Sequence, residues 1–248
     1  MTSDDSRPID LKPETLDEEL LRGVGPYVPE SAADDPERLK EIHEEFAMGF
    51  AALADLQGAV SVFGSSRTQP DHPDYALAKE TAKQLGAAGF SIITGGGPGI
   101  MEAANRGAQE AGAKSIGLNI NLAHEQQPNQ FQDLSLTFKH FFTRKVMFIR
   151  YSHAFIAMPG GFGTLDELTE ALNLVQTSTI RNFPSILVGS EFWGGLVEWL
   201  EAQLVEEGKI DRSDMRLLQI CDKPEEVVAA VEQARAEQRL LDGKNRGS

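Results

Sequence analysis

Between Ala59 and about Cys221 the chain repeatedly switches hydrophobic period. Short apolar runs of strand length alternate with stretches whose apolar positions recur every three or four residues. The runs are "AVSVFGSS" (59–66), "FSIITGG" (90–96), "KSIGLNI" (114–120), the shorter and more polar "LSLTFKHF" (134–141), "HAFIAMPGG" (153–161) and "PSILVGS" (184–190). Helical patterns run from about Pro73 to Ala88, Gly99 to Ala111, Thr164 to about Thr177 and Phe192 to Glu207. "MRLLQIC" (215–221) reads as a last edge strand and Pro224 to Leu241 as a closing helix. Strands separated by helices predict an α/β fold: a doubly wound parallel sheet, Rossmann-like, with helices on both faces.

The rest of the chain divides around that body. Residues 1–58 are expected to form an acidic N-terminal arm and an amphipathic helix, 59–221 a Rossmann-like nucleotide-binding catalytic domain, and 222–248 a C-terminal helix and tail. In the helix from Pro36 to Leu56 the apolar stripe is Leu39, Ile42, Phe46, Phe50 and Leu53. Residues 1–45 hold 14 acidic and 5 basic side chains, so −9 of the net −15 falls there and −6 on the remaining 203. Such a segment reads as a solvated arm.

Charge and composition exclude some functions. A chain of net charge −15 repels a nucleic-acid backbone, so no nucleic-acid polymer is expected as partner. No apolar run reaches the roughly 18 residues a membrane span needs, and "MTSDDSRPIDLKPE" lacks the layout of a secretory leader. Cys221 is the only cysteine, which excludes an internal disulfide and carries no nucleophile context. A cytoplasmic protein is expected. The five histidines (His43, His72, His124, His140, His153) have no partner at ligand spacing, and "HEQQP" breaks the H-E-x-x-H pattern. No metal or organic cofactor is expected.

In doubly wound sheets ligands bind beyond the carboxyl ends of the strands, where the strand order reverses. Three strand ends are rich in small residues: "FGSSR" (63–67), "TGGGPGIMEAA" (94–104) and "PGGFGTLDE" (159–167). Glycines let a ligand approach the backbone, and the following helix start offers unpaired N–H groups. Two such turns facing one crevice make a phosphate cradle. The dinucleotide fingerprint fails at both, because Ile100 and Asp166 stand where its last glycine belongs, and no Gly-Lys-Ser/Thr of a P-loop follows either turn.

Two charged features adjoin these turns. Arg144 and Lys145 open a helical stretch that leads into the fifth strand, 15 residues before Pro159. A helix running back antiparallel to that strand returns Arg144 toward "PGG". Glu167 and Glu170 share one face of the helix opened by Thr164. The bland alternatives are a surface basic pair and a Thr164–Glu167 capping box, and spacing alone does not separate them from a functional site.

Taken together, "GSS", "GGGPGIM", Arg144-Lys145 and "PGGFGTLDE" resemble the LOG (Lonely Guy) family, whose signature P-G-G-x-G-T-x-x-E is matched at every position from Pro159 to Glu167. The family long carried the label lysine decarboxylase. The resemblance covers about residues 59–220, and the N-terminal extension and "NINLAHEQQPN" (119–129) are more similar to its longer class. The short class often has methionine four residues after the arginine; here Phe148 holds that place and Met147 precedes it, so the wall facing the base differs.

The resemblance implies hydrolysis of the N-glycosidic bond of a purine or cytokinin riboside 5′-monophosphate, AMP included, to free base and ribose 5-phosphate. It implies Arg144 and Glu167 as catalytic residues. Ser65, Ser66, Gly96, Gly97, Lys145, Gly160, Gly161, Gly163, Thr164 and Glu170 are implied to bind a small-molecule nucleoside monophosphate. A carboxylate beside C1′ suits the positive charge that builds on the ribose. The arginine stays charged and so acts by electrostatic positioning. A decarboxylase would need a lysine forming a Schiff base with pyridoxal phosphate; Lys145 is the only lysine near the turns, and nothing else there serves an amino-acid substrate. A non-catalytic nucleotide-binding sensor or carrier remains the alternative. The resemblance also implies a homo-oligomer, a dimer or larger, and the apolar residues Val146, Met147, Phe148 and Ile149 on "TRKVMFIRY" place the stretch from about 142 to 152 in or near the contact.

Overall fold

The computed structural model describes residues 31–56, 58–121, 127–177, 179–180 and 183–245. The acidic arm before Ser31 and residues 122–126 of the expected "NINLAHEQQPN" segment lie outside the described residues. The elements follow in chain order: α1 (Ser31–Leu53), β1 (Ala59–Phe63), α2 (Pro73–Ala87), β2 (Ser91–Thr94), α3 (Ile100–Glu110), β3 (Ser115–Ile120), β4 (Leu134–Phe138), α4 (Phe141–Tyr151), β5 (Ser152–Ala157), α5 (Phe162–Gln176), β6 (Ser185–Val188), α6 (Ser190–Leu200), β7 (Leu218–Cys221) and α7 (Pro224–Asn245). Among the described residues, no helix is long and apolar enough to cross a membrane.

All seven strands are parallel and ordered β4-β3-β2-β1-β5-β6-β7. The chain winds outward from β1 to β4, then returns to place β5 on the other side of β1. The expected doubly wound sheet therefore forms, with its reversal between β1 and β5. Central strands are buried on both faces, which is why their sequences are continuous apolar runs and not alternating ones. Val60, Val62, Ile92, Ile156 and Val188 point into one core with α2, α3 and α7. Phe63, Ile93, Ile116, Leu118 and Phe155 point into the other, against α1 and α4. Leu187 and Ala157 continue that second face toward Trp193 of α6.

Several boundaries differ from the sequence expectation, each for a local reason. The fifth strand ends at Ala157 because the next residues turn: Met158 N donates to Phe63 O at 2.8 Å and Pro159 O accepts from Ser65 N at 3.0 Å. The last strand begins at Leu218, since Arg212–Leu217 forms a 3-10 turn held by a reciprocal Asp211–Asp214 capping box. Helix α6 widens into a π-helical turn over Glu201–Val205. Helix α5 begins at Phe162, with extended Gly161 as its cap and no side-chain cap. The Thr164–Glu167 capping box is thus not formed; Thr164 already lies inside the first turn, where its N–H donates to Gly161 O at 3.0 Å.

Helix α1 is only partly covered by its own fold. Leu53 is buried and Phe46 packs at the edge of the second core, whereas Leu39 and Phe50 are exposed. On α4 the apolar residues split: Met147 and Phe148 are buried, and Phe142 and Val146 face outward.

Candidate active site

The turns after β1 and β5 meet at the sheet's reversal point. Ser65 N donates to Pro159 O, and Ser65 O accepts from Ile100 N at 3.0 Å, which ties the start of α3 to the same junction. Gly99 makes this approach feasible. Its φ of 69° lies in the left-handed region, and a Cβ there would collide with Ser65 O and the Ser66 backbone. The three glycine-rich ends are one assembly.

The turn after β2 is held from beneath by amides. Thr94 Oγ1 accepts from Gly96 N at 3.0 Å and donates to Asn105 Oδ1 at 2.6 Å. Asn129 Nδ2 donates to Gly96 O, Gly97 O and Asn105 Oδ1, and Gln132 Nε2 donates to Gly96 O at 2.7 Å. Gly96 and Gly97 are therefore buried within this network, and Gly95, buried as well, is the glycine of that turn that borders the cleft above.

That surface is a cleft of about 540 Å³ over the carboxyl ends of the strands. Gly64–Arg67 form one side and Gly161, Gly163 and Thr164 of the α5 start another, with Arg144 and Glu167 between them. Met101, Ile120 and Phe141 supply apolar wall, and Phe162, 91% exposed, stands at the mouth. The N–H groups of Phe162 and Gly163 precede Thr164 N, the first to donate back to the Gly161 carbonyl, and such opening N–H groups carry partial positive charge. Anions are favoured there.

Arg144 is fixed by the sheet. Its Nε donates to Leu118 O at 2.7 Å and an Nη to Gly95 O at 3.4 Å, while the guanidinium lies 5.1 Å from the centre of the Phe148 ring. Burial pulls its pKa down to about 10, with Glu167 acting the other way. It remains a cation at neutral pH. Phe148 itself is buried beneath it, packed edge-on against Phe63, so it does not form the cleft wall.

Glu167 is 7% exposed, and its Oε2 is buried with no hydrogen-bond partner among the described residues. Burial drives its pKa up to about 7 against the pull of Lys145 and Arg144, with Glu170 and Asp166 adding to the rise. A carboxyl group poised near neutrality beside a fixed cation is suited to proton or charge chemistry. Lys145 and Glu170 do not line the cleft. The Lys145 ammonium bridges Asp166 Oδ2 at 2.8 Å and Glu170 Oε2 at 2.7 Å, with Glu167 Oε1 at 4.0 Å. Burial lowers the Lys145 pKa, but the hydrogen bonds to Asp166 and Glu170 outweigh it and leave it raised. A lysine held as an ion-paired cation does not fit Schiff-base chemistry, which needs the free amine.

Of the residues expected at the site, the cleft gathers Ser65, Ser66, Arg144, Gly161, Gly163, Thr164 and Glu167. Gly160 lies just behind, where a Cβ would strike Thr164 Oγ1. Sequence reasoning missed Arg67, Asp166, Phe141 and Phe162. Arg67 ends the quoted "FGSSR" and was legible; the two phenylalanines carry no signal until the helix starts are placed.

Comparison with known proteins agrees with this architecture. Residues 101–231 match the family described as "Possible lysine decarboxylase". The cytokinin riboside 5′-monophosphate phosphoribohydrolase of Mycobacterium marinum is 28% identical over 185 residues, covering 72% of this chain and 97% of that protein. The pyrimidine/purine nucleotide 5′-monophosphate nucleosidase of Escherichia coli K12 is 30% identical over 126 residues, 47% of this chain and 28% of its own length. Among solved structures, the molybdenum cofactor carrier protein of Chlamydomonas reinhardtii matches with a TM-score of 0.57 at 22% identity, over 73% of this chain and 99% of that one, a likeness of fold. With more than half of its 248 residues inside the family match and the signature complete from Pro159 to Glu167, this chain belongs to the "Possible lysine decarboxylase" family, the LOG family that its motifs resemble.

Proposed function

We propose that this protein hydrolyses the N-glycosidic bond of a purine or cytokinin riboside 5′-monophosphate, AMP included, releasing free base and ribose 5-phosphate. The observation that carries the reading is Glu167: a nearly buried carboxyl with an unpartnered oxygen, in a cleft shared with Arg144 and the α5 helix start. The names of the relatives from Mycobacterium marinum and Escherichia coli support the same reaction class.

In this reading the 5′-phosphate sits on the N–H groups of Gly161, Phe162 and Gly163, beside the Thr164 hydroxyl, Ser65, Ser66 and Arg67. That grip lies away from the reacting bond and supplies energy to orient it. As the C1′–N bond breaks, its electron pair leaves with the base and positive charge grows on the ribose, where the Glu167 carboxylate stabilises it. Water oxygen bonds to C1′ and one of its protons passes to Glu167; the departing base takes up a proton from solvent water, and Glu167 returns its proton to solvent to close the cycle. Arg144 contributes fixed positive charge near the leaving base and phosphate. Lys145 and Glu170 act behind Glu167 and do not grip the substrate. The active form is a homo-oligomer, at least a dimer.

Incubation of the purified protein with AMP and with isopentenyladenosine monophosphate, followed by chromatography, tests this. Free base and ribose 5-phosphate are expected in equal amounts. Tight nucleotide binding without base release would overturn the enzyme reading in favour of a sensor or carrier.

A further inference from the structure

Helix α4 carries Arg144 but lacks the ordinary means of starting. Its cap residue, His140, makes no side-chain cap bond, and its first turn has no acidic residue. The missing acceptor comes from a different helix. Glu45 of α1, 8% exposed, reaches across so that its Oε1 accepts from Lys139 N at 2.5 Å. Its Oε2 accepts from His140 N at 3.4 Å, His140 Nδ1 at 3.1 Å and Thr143 Oγ1 at 2.6 Å. His140 and Thr143 are fully buried. Every one of these partners of the buried carboxylate falls within residues 139–143, and the next residue is Arg144.

We propose that Glu45 is a positioning residue for Arg144: a carboxylate supplied by the N-terminal helix that caps α4 and fixes where its first turn holds the guanidinium. The proposal rests on the catalytic reading of Arg144 given above.

The rest of the α1–α4 contact follows the same register. Gly49, one turn after Glu45, passes so close to Met147 that a Cβ would lie 2.7 Å from its Sδ. Phe50 receives the Arg150 guanidinium at 4.7 Å from its ring centre. Helix α1 is thus applied along α4 from cap to last turn. A charged acceptor at a helix start satisfies orphan N–H groups and complements the helix dipole. A buried carboxylate is costly unless its partners are in place, so Glu45 and the 139–143 backbone constrain one another. The far end of the lever is the guanidinium on Leu118 O and Gly95 O. Misplacing a catalytic group by about 1 Å costs on the order of 100-fold in rate.

A merely stabilising helix contact would lower folded protein and leave the chemistry of what remains unchanged. A double-mutant cycle on the full chain separates the two. Glu45→Gln keeps the shape but turns an amide NH₂ toward donors. It is expected to lower kcat on AMP about tenfold or more, with KM moving less than about threefold. In an Arg144→Ala background the same change is expected to cost less than about twofold, because there is no guanidinium left to position. Equal fold-losses in both backgrounds would overturn the proposal, as would unchanged hydrogen exchange at the amides of Lys139–Phe148. Glu41→Gln, which removes only the exposed partner of the Lys139 ammonium, is the control and should leave kcat in place. If Glu45→Gln does not fold, Thr143→Val removes one partner of the carboxylate at constant shape and enters the same cycle. If the wild type releases no base, the hydrolase reading fails by itself. AMP affinity then replaces kcat in the cycle, and the same pattern of coupled or independent losses decides the proposal.

Discussion

Lys145 Nζ lies 4.0 Å from Glu167 Oε1 while it bridges Asp166 and Glu170 at 2.8 and 2.7 Å. One ammonium therefore offsets three carboxyl groups on a single face of α5. Lys145 and Arg144 from α4 pull the Glu167 pKa down; burial, Glu170 and Asp166 push it up, and the balance is about 7. Lys145→Met removes one of the two cations and leaves Arg144 alone to oppose burial and the repulsion of Glu170 and Asp166. If hydrolysis needs ionised Glu167, the acid limb of kcat against pH should move to higher pH by on the order of one unit. Lys145→Arg should restore it. A limb that stays put in Lys145→Met would remove Lys145 from the tuning of the site.

Glu167→Gln tests the carboxylate directly. The amide fits the same space but cannot offset a cationic ribose, so kcat should fall about 100-fold or more. Nucleotide binding, measured by calorimetry, should persist. Near-normal turnover would leave Glu167 as a helix residue without a role in the chemistry.

The same substitution has a consequence for stability. Glu167 has an ordinary pKa near 4.5 that rises to about 7 in the folded protein. Between those values the folded state holds a proton that the unfolded state has released. Stability from this group is thus full below about 4.5 and lost as pH rises through about 7. The loss is at most about 3 kcal/mol over that window. Denaturant titrations at pH 5 and pH 8 should show wild type losing stability toward pH 8 relative to Glu167→Gln. Parallel pH curves for the two proteins would contradict the buried, raised carboxyl.

Gly99→Ala should damage the cradle without touching a charged residue. Its φ of 69° disfavours a side chain, and the new Cβ meets Ser65 O and the Ser66 backbone. Strain alone costs about 1–2 kcal/mol; displacement of Ser65–Arg67 adds a loss of phosphate grip. KM for AMP should rise several-fold, and ribose 5-phosphate should inhibit more weakly. Wild-type KM would show that the β1 turn does not hold the phosphate.

Much of this arrangement was legible because it is local. Period changes marked the strands and helices, and the parallel sheet with its reversal followed from strands buried on both faces. The spacing of Arg144 from Pro159 foretold that the start of α4 returns to the β5 turn, and Arg144 does line one cleft with Gly161 and Gly163 of that turn. The Thr164 start was misread because T-x-x-E is at once a capping pattern and part of the signature; extended Gly161 starts the helix earlier and frees Glu167 to be buried. The Glu45 cap was not legible at all. It joins residues 98 positions apart, from Glu45 to Thr143, and a lone glutamate in an acidic helix gives no sign of its partner. Phe148 stands at a motif position read as a wall facing the base, yet it packs edge-on against Phe63, a contact only the folded sheet reveals.

Phe142 and Val146, 41% and 38% exposed, lie one turn apart on α4. Phe50, also exposed, continues their line where it stacks beneath Arg150. Phe141 and Phe162 add apolar surface at the adjoining cleft mouth. Five large apolar side chains are thus exposed along α4, on the facing turn of α1 and at the cleft mouth, and exposed apolar surface of this extent marks a contact surface. A second copy of the chain is the expected cover, which would seat the interface along α4 and beside the cleft. Light scattering should therefore give a mass at least twice the 27.1 kDa of one chain. Val146→Asp places a charge in the middle of the line, where desolvating it opposes association, without disturbing the buried Met147 and Phe148 face. It should shift the protein toward monomer and lower turnover, since Phe141 and Phe162 border both the patch and the site. A wild-type protein that is monomeric and fully active at micromolar concentration would end this proposal.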